Sequence, residues 1–278
     1  MSLVIDVQNL KVMLKTKKYK KEIVKDVSFK VHAGECVGIL GESGSGKSMM
    51  VKGIMGLLDK NFVVSGCANF EGKDILKESK EGLRKLRGNR IAMVLQNPMT
   101  SFDPLYRIGN QMAETFAEHT EWKGEEIRMQ SIHILKRMQI LDPEEILQKY
   151  PHQVSGGTLQ RIMIGIAMAL KPSLLIADEP TTAIDSITQF EILQEFARIK
   201  KEYNTAMIFI THDLSAVSCI ADRILVMNQG QIVDEGNLYH ILNHAEDTYT
   251  RLLVEKQRAV MTSYRNAIHS KGGRICLR

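Results

Sequence analysis

Residues 41–48 read Gly41-Glu42-Ser43-Gly44-Ser45-Gly46-Lys47-Ser48, between the compact apolar run Cys36-Val37-Gly38-Ile39-Leu40 and a helical pattern from Ser48 to Leu58. Strand, glycine-rich loop and helix in that order define one α/β unit. Its glycines let consecutive backbone N–H groups curl round phosphate oxygens, at the positive end of the following helix. Lys47 is then placed to hold the β and γ phosphates, and Ser48 to ligate Mg²⁺. The competing reading is a glycine-rich turn that binds nothing, and the flanking strand and helix weigh against it.

The rest of the chain fits such a unit into a larger sheet. Leu3 to Val7 and Val24 to Val31 alternate apolar with polar residues, as half-buried strands do. Val63 to Phe70 and Ile91 to Leu95 read as further strands, and residues 106–148 as helical, with Ile127, Ile134, Leu135 and Met138 on one face. Beyond them the pattern alternates: Leu174 to Ala177, helix 187–201, Ala206 to Ile210, helix 214–220, Ile224 to Met227 and Gln231 to Glu235. Such alternation predicts a mostly parallel sheet flanked by helices. The helical block between Gln96 and Leu170 reads as an insertion into it.

Two more segments carry chemistry. Leu174-Leu175-Ile176-Ala177-Asp178-Glu179 is an apolar strand ending in paired carboxylates, broken at once by Pro180. Asp178 would face the Mg²⁺ shell, and Glu179 could polarise the water that attacks a γ-phosphorus. Val154-Ser155-Gly156-Gly157-Thr158-Leu159-Gln160-Arg161 precedes an apolar helix, so its N–H groups form a second anion cradle. One phosphate loop needs no second cradle, whereas two chains facing head to tail do. An ordinary helix cap by Ser155 is the alternative.

The phosphate loop, Gln96, the VSGGTLQR and LLIADEP segments, Ala183-Ile184-Asp185 and Thr211-His212-Asp213 follow the order and spacing of ATP-binding cassette ATPases. The chain resembles that family from residue 3 to about 253. The resemblance implies a P-loop NTPase of the cassette type: a mixed, mostly parallel sheet, an inserted helical subdomain at about 97–170 and an N-terminal antiparallel β part. It implies ATP and Mg²⁺ as ligands, with Gly41 to Ser48 on the phosphates and Ser48, Gln96 and Asp178 around the metal. Tyr19, 22 residues before Gly41, matches the aromatic that stacks on adenine; a surface tyrosine at a lysine-rich strand end is the other reading. Gln96 matches the glutamine that senses Mg²⁺ and attacking water and links to the membrane partner. Ser155, Gly156 and Gly157 match the signature that binds ATP across a dimer, Asp185 the loop coupling the two sites, and His212 the switch histidine. Lys47, Gln96, Glu179 and His212 are thus the expected catalytic set. Val154 stands where the family usually has Leu, a conservative apolar change.

Within the family, Gln96-Asn97-Pro98-Met99-Thr100-Ser101-Phe102-Asp103-Pro104 resembles the corresponding segment of the peptide and nickel importer group, as do Ala177 to Ala183 and Thr248-Tyr249-Thr250-Arg251-Leu252-Leu253. Dipeptide and oligopeptide ATPases usually carry several cysteines in a longer C-terminal extension, holding an iron–sulfur cluster. Here only Cys276 lies near the end, and one thiolate cannot supply four-cysteine ligation. The chain therefore resembles the D-type ATPase of nickel and metallophore importers, with a dipeptide or oligopeptide importer as the alternative. The implied partners are a second cassette ATPase, different or identical, two integral-membrane permeases and, indirectly, an extracytoplasmic substrate-binding protein, with no nucleic acid. The implied location is peripheral, on the cytoplasmic face of the membrane.

Composition narrows the remaining classes. Of 278 residues 44% are apolar and 25% charged, which excludes collagen-like and wholly disordered chains. The longest apolar run, Ile162 to Leu170, falls far short of the roughly 18 residues of a membrane helix. Cys36, Cys67, Cys219 and Cys276 lack CxxC spacing, as expected of incidental thiols in a reducing compartment. The net charge of +5 is uneven: residues 11–30 hold eight Lys against Glu22 and Asp26, and residues 251–278 hold seven Lys or Arg against Glu255. A nucleotide-binding domain over 1–255 followed by a basic tail over 256–278 is the expected organisation. DNA-repair cassettes insert long coiled coils, but Gln96 and Ser155 are only 59 residues apart and no heptads persist. Translation factors usually carry two cassettes in one chain, where this has one.

Overall fold

The computed structural model describes residues 2–16, 19–182 and 184–270, and among these the side chains of 186, 187 and 260–270 are left aside. Lys17, Lys18, Ala183, Gly272, Gly273 and Cys276 lie outside the described residues. So do the side chains of Val260, Met261, Tyr264, Ala267 and Ile268, whose spacing suggests a short amphipathic helix.

Two long strands open the chain, β1 (Leu3–Lys15) and β2 (Lys20–His32), before the buried β3 (Cys36–Leu40) and the helix α1 (Lys47–Ile54). Next come β4 (Phe62–Phe70), β5 (Lys73–Asp74), α2 (Lys80–Leu86) and β6 (Ile91–Val94). The helical insertion follows as α3 (Ile108–His119), α4 (Glu125–Arg137), α5 (Pro143–Gln148) and α6 (Gly156–Ala169). The chain then alternates through β7 (Leu174–Asp178), α7 (Ser186–Tyr203), β8 (Ala206–Thr211) and α8 (Leu214–Ile220). It closes with β9 (Arg223–Asn228), β10 (Gln231–Gly236), α9 (Leu238–Asn243) and α10 (Thr248–Ser270).

The strands form two sheets, β2-β1-β4-β5 and β10-β9-β3-β8-β7-β6. The first is antiparallel; the second is parallel except for the edge pair β9–β10. Every residue of β3, β7 and β8 is buried, as continuous apolar strands covered on both faces must be. Side chains alternate between two cores. Cys36, Leu40, Leu175, Ala177, Met207 and Phe209 face the cluster shared with the helical insertion and α7. Val37, Ile39, Ile176, Ile208 and Ile210 face the cluster shared with α1 and the antiparallel sheet. Phe196 of α7 meets Phe209 edge to face, with centroids 5.8 Å apart.

Several boundaries differ from the sequence expectation, each for a local reason. The alternation that ended at Val7 resumes at Leu10 and Val12 after a bulge at Asn9, whose φ is +49°, so β1 runs on to Lys15. α1 stops at Ile54 rather than Leu58: Gly56 takes φ +61°, its N–H reaches Gly53 O, and Leu57 N–H reaches Lys52 O. That is a Schellman close at a glycine. Residues 106–148 form three helices, interrupted by Gly124 and by Gln139 and Asp142, all at positive φ. The boundary expected after residue 255 falls inside α10, one helix from Thr248 to Ser270.

Lys11, Lys15, Lys20, Lys21 and Lys30 are exposed on β1 and β2. β2 is an edge of its sheet, where lysines keep the strand soluble. Among the described residues no helix is long and apolar enough to cross a membrane.

Candidate functional site

Strand order assembles the site. In the run β3-β8-β7-β6 four parallel neighbours end on the same side of the sheet. The phosphate loop follows β3, His212 follows β8, Asp178 and Glu179 end and follow β7, and Gln96 lies just past β6. The carboxyl edge of a parallel sheet is where α/β proteins bind ligands.

The phosphate loop needs its glycines. A Cβ at Gly41 would stand 2.3 Å from Met227 O on β9, and Gly44 and Gly46 have φ of +85° and +106°. Ser45 N–H closes the turn on Glu42 O. Lys47 is buried, and its ammonium donates to Gly41 O at 2.7 Å and Glu42 O at 2.9 Å, so it spans the loop. Burial lowers its pKa, against the opposing pull of Glu179 and Asp178. Ser43 is exposed on this loop.

Ser48 Oγ donates to Asp178 Oδ1 at 2.8 Å. Asp178 is buried, and desolvation raises its pKa while the Ser48 hydrogen bond and Lys52 and Lys47 hold it down. No group of three or more His, Cys, Asp or Glu able to hold a metal occurs among the described residues. An oxygen pair of hydroxyl and carboxylate beside a phosphate cradle suits Mg²⁺, which takes few protein ligands and keeps phosphate oxygens and waters. The residues present therefore fit that ion.

One carboxylate oxygen collects the remaining groups. Glu179 Oε2 accepts from Gln96 Nε2 at 3.1 Å and from Thr182 Oγ1 at 3.1 Å, and His212 Nδ1 lies 3.3 Å away. Its backbone is left-handed, φ +48°, with its N–H tied to Ile210 O at 2.9 Å. A non-glycine residue held there stores strain, as functional sites often do. The three neighbours fix the carboxylate's rotation, so that it can take a proton from a water placed against a phosphate. His212 remains half exposed, its side chain 51% accessible, and open to a ligand.

Three expected groups have local roles of their own. Ser155 caps α6: Thr158 N–H donates to its Oγ at 3.1 Å, with Gly156 and Gly157 beginning the helix. The helix-cap alternative is thus correct as local structure, and a Cβ at Gly156 would meet nothing within 4 Å. Asp185 caps α7, accepting from Thr188 N–H. Tyr19, 55% exposed, sits at the start of β2, where its N–H donates to Thr16 Oγ1. Two residues inside the quoted motifs, but given no role there, belong to the site's frame. Thr182 follows Glu179 by one turn and anchors it. Gln160, fully buried on α6, donates to Leu95 O beside Gln96 at 3.3 Å and so ties α6 to the residue before the glutamine.

Comparison with known proteins gives the family. Residues 24–182 match the family model described as ABC transporter. The chain is 44% identical over 246 residues to the metal–staphylopine import system ATP-binding protein CntD of Staphylococcus aureus, covering 88% of this chain and 91% of that one. It is 40% identical over 250 residues to the oligopeptide transport ATP-binding protein OppD of Haemophilus influenzae, covering 90% and 77%. A dimeric structure of the ATP-binding cassette MJ0796 in a post-hydrolysis state, bound to ADP and phosphate, superposes with a TM-score of 0.77 at 27% identity, covering 84% and 98%. The chain belongs to the ABC transporter family, as an ATP-hydrolysing, ATP-binding subunit.

Proposed function

We propose that this chain powers import of nickel, free or as a metal chelate, through separate membrane permeases, as D-type nickel-importer ATPases do. The observation that carries this reading is the 44% identity to the ATP-binding protein of a metal–staphylopine import system. The second reading, a dipeptide or oligopeptide importer, is favoured by the 40% identity to an oligopeptide transport ATPase. In either case the cargo passes through other proteins: two permeases, fed by an extracytoplasmic binding protein. The chain itself sits on the cytoplasmic face, paired with a second cassette ATPase and with no nucleic acid partner.

In this reading the loop from Gly41 to Ser48 cradles the phosphates, Lys47 neutralises the β and γ oxygens and Tyr19 stacks on adenine. Ser48, Asp178 and Gln96 would hold Mg²⁺, which when bound offsets charge on the β and γ phosphates. Glu179 takes the proton of the attacking water, steadied by Gln96 and Thr182, while His212 meets the γ-phosphate. Ser155, Gly156 and Gly157 close the partner's nucleotide, and Asp185 couples the two sites. Gln96 links the site to the permeases through the helical subdomain at 97–170. A cell strain lacking this protein, supplied with labelled nickel, free or chelated, and then with labelled oligopeptide, separates the two cargoes. Loss of nickel or metal-chelate uptake alone supports the first reading; loss of peptide uptake alone overturns it.

A further inference from the structure

The helix α10 touches both ends of the site. Glu42 N–H of the phosphate loop donates to Tyr249 Oη at 2.8 Å, and Lys256 Nζ lies 3.2 Å from Glu42 Oε1. One residue on, Gln257 uses both ends of its amide. Its Oε1 accepts Leu214 N–H at 2.8 Å, and its Nε2 donates to His212 O at 2.6 Å. Tyr249, Leu253, Lys256 and Gln257 are spaced i, i+4, i+7 and i+8, so they share one face of the helix over about 12 Å. Buried Leu253 and Val254 seat that segment on the core.

The amide of Gln257 does two things at His212. Leu214 N–H is one of the first-turn donors of α8 that no intrahelical carbonyl can satisfy, and Asp213 already caps Ser215 N–H. Gln257 supplies the missing acceptor, and with its other end pins the carbonyl of the histidine itself. The His212 main chain is thus held from α10, the helix whose other end holds the phosphate loop.

We propose that α10 is a strut between the phosphate loop and the switch histidine, with Gln257 the positioning residue that sets where the His212 side chain stands. The proposal rests on His212 being the γ-phosphate contact. A shift of the loop as it receives phosphate is passed through Glu42, Tyr249 and Lys256 to α10, and from Gln257 to His212. The residue acts through His212 and touches no nucleotide itself.

The test uses the full-length chain with Gln257→Met, which keeps the stem but loses both hydrogen bonds, and Gln257→Glu, which keeps only the acceptor for Leu214 N–H. Expected for Gln257→Met is a kcat for ATP hydrolysis lowered about tenfold, with ATP affinity unchanged and the thermal midpoint lowered by no more than a few degrees. Gln257→Glu should fall between it and the wild type. Added to His212→Ala, Gln257→Met should cause no further loss, because both act through one group. Amide hydrogen exchange at Leu214 should accelerate in Gln257→Met without change elsewhere in the core. Wild-type kcat in Gln257→Met, an equal further loss in the His212→Ala background, or unchanged exchange at Leu214 overturns the strut. Wild-type turnover in His212→Ala itself removes the histidine's role and the strut with it, a failure distinct from an inert Gln257→Met beside a dead His212→Ala.

Discussion

Replacing Glu179 by Gln removes the proton acceptor while keeping nearly everything else. The wild-type carboxylate presents Oε2 to Gln96 Nε2, Thr182 Oγ1 and His212 Nδ1. A Gln amide can turn its own oxygen to the Gln96 and Thr182 donors, so the side chain keeps its place, and the phosphate loop, a separate element after β3, loses only the electrostatic pull of Glu179 on Lys47. Exchanging a charged acceptor for a neutral one weakens hydrogen bonds by about 1 kcal/mol each, and relief from burying a charge offsets part of it. The fold and ATP affinity should therefore survive. General base catalysis contributes about a hundred- to ten-thousandfold, or about 3–5 kcal/mol, so turnover should fall by that factor. Single-turnover hydrolysis with radiolabelled ATP, beside an equilibrium binding titration of the same preparation, reads both quantities. Wild-type hydrolysis by the variant, or a parallel collapse of ATP binding, would refute the assignment of Glu179 as base.

Other perturbations probe the frame. Gly41→Ala forces a Cβ to 2.3 Å from Met227 O, so the loop must shift; a stability loss of about 1–3 kcal/mol in urea melts and weaker ATP binding are expected, and unchanged values would contradict the close approach. Phe196→Ala empties a fully buried ring that meets Phe209, and should cost about 3–5 kcal/mol in the same melts. Burial drives the Cys36 thiol pKa well above its usual range and seals it, whereas Cys219 is exposed. Peptide mapping after alkylation of the native protein should find Cys219 labelled and Cys36 protected until denaturant is added; early labelling of Cys36 would show that its strand opens.

Much of this architecture is written locally. The apolar runs at 36–40, 174–178 and 206–211 are buried on both faces, and such strands need no alternation to be recognised. The phosphate loop, the paired carboxylates and His212 each stand at a strand's carboxyl end, so their meeting follows from a parallel sheet. What escaped depends on tertiary context or on breaks in periodicity. The bulge at Asn9 changes the parity of burial, which hid the second half of β1. Gly56 did carry a signal for the end of α1, since a glycine at positive φ closes helices. Gln257 carried none, and Thr182 stood in a quoted segment without a role of its own: an isolated polar residue on a charged helix, and a threonine in a turn, gain meaning only from what lies opposite. Likewise the basic charge of residues 251–278 suggested a tail from residue 256, yet Lys256 and Gln257 reach the site's edge and Arg258 reaches Leu242 O.

Equilibrium titration of the full-length chain with ATP and Mg²⁺ asks whether the loop from Gly41 to Ser48 binds ATP. Lys47→Ala removes the ammonium that spans the loop and, in this account, the charge-assisted hydrogen bonds to the phosphates. The wild type should bind saturably and the variant, folded by its thermal midpoint, should lose at least about a hundredfold in affinity, about 2.7 kcal/mol. ATP binding by Lys47→Ala equal to that of the wild type would contradict the account.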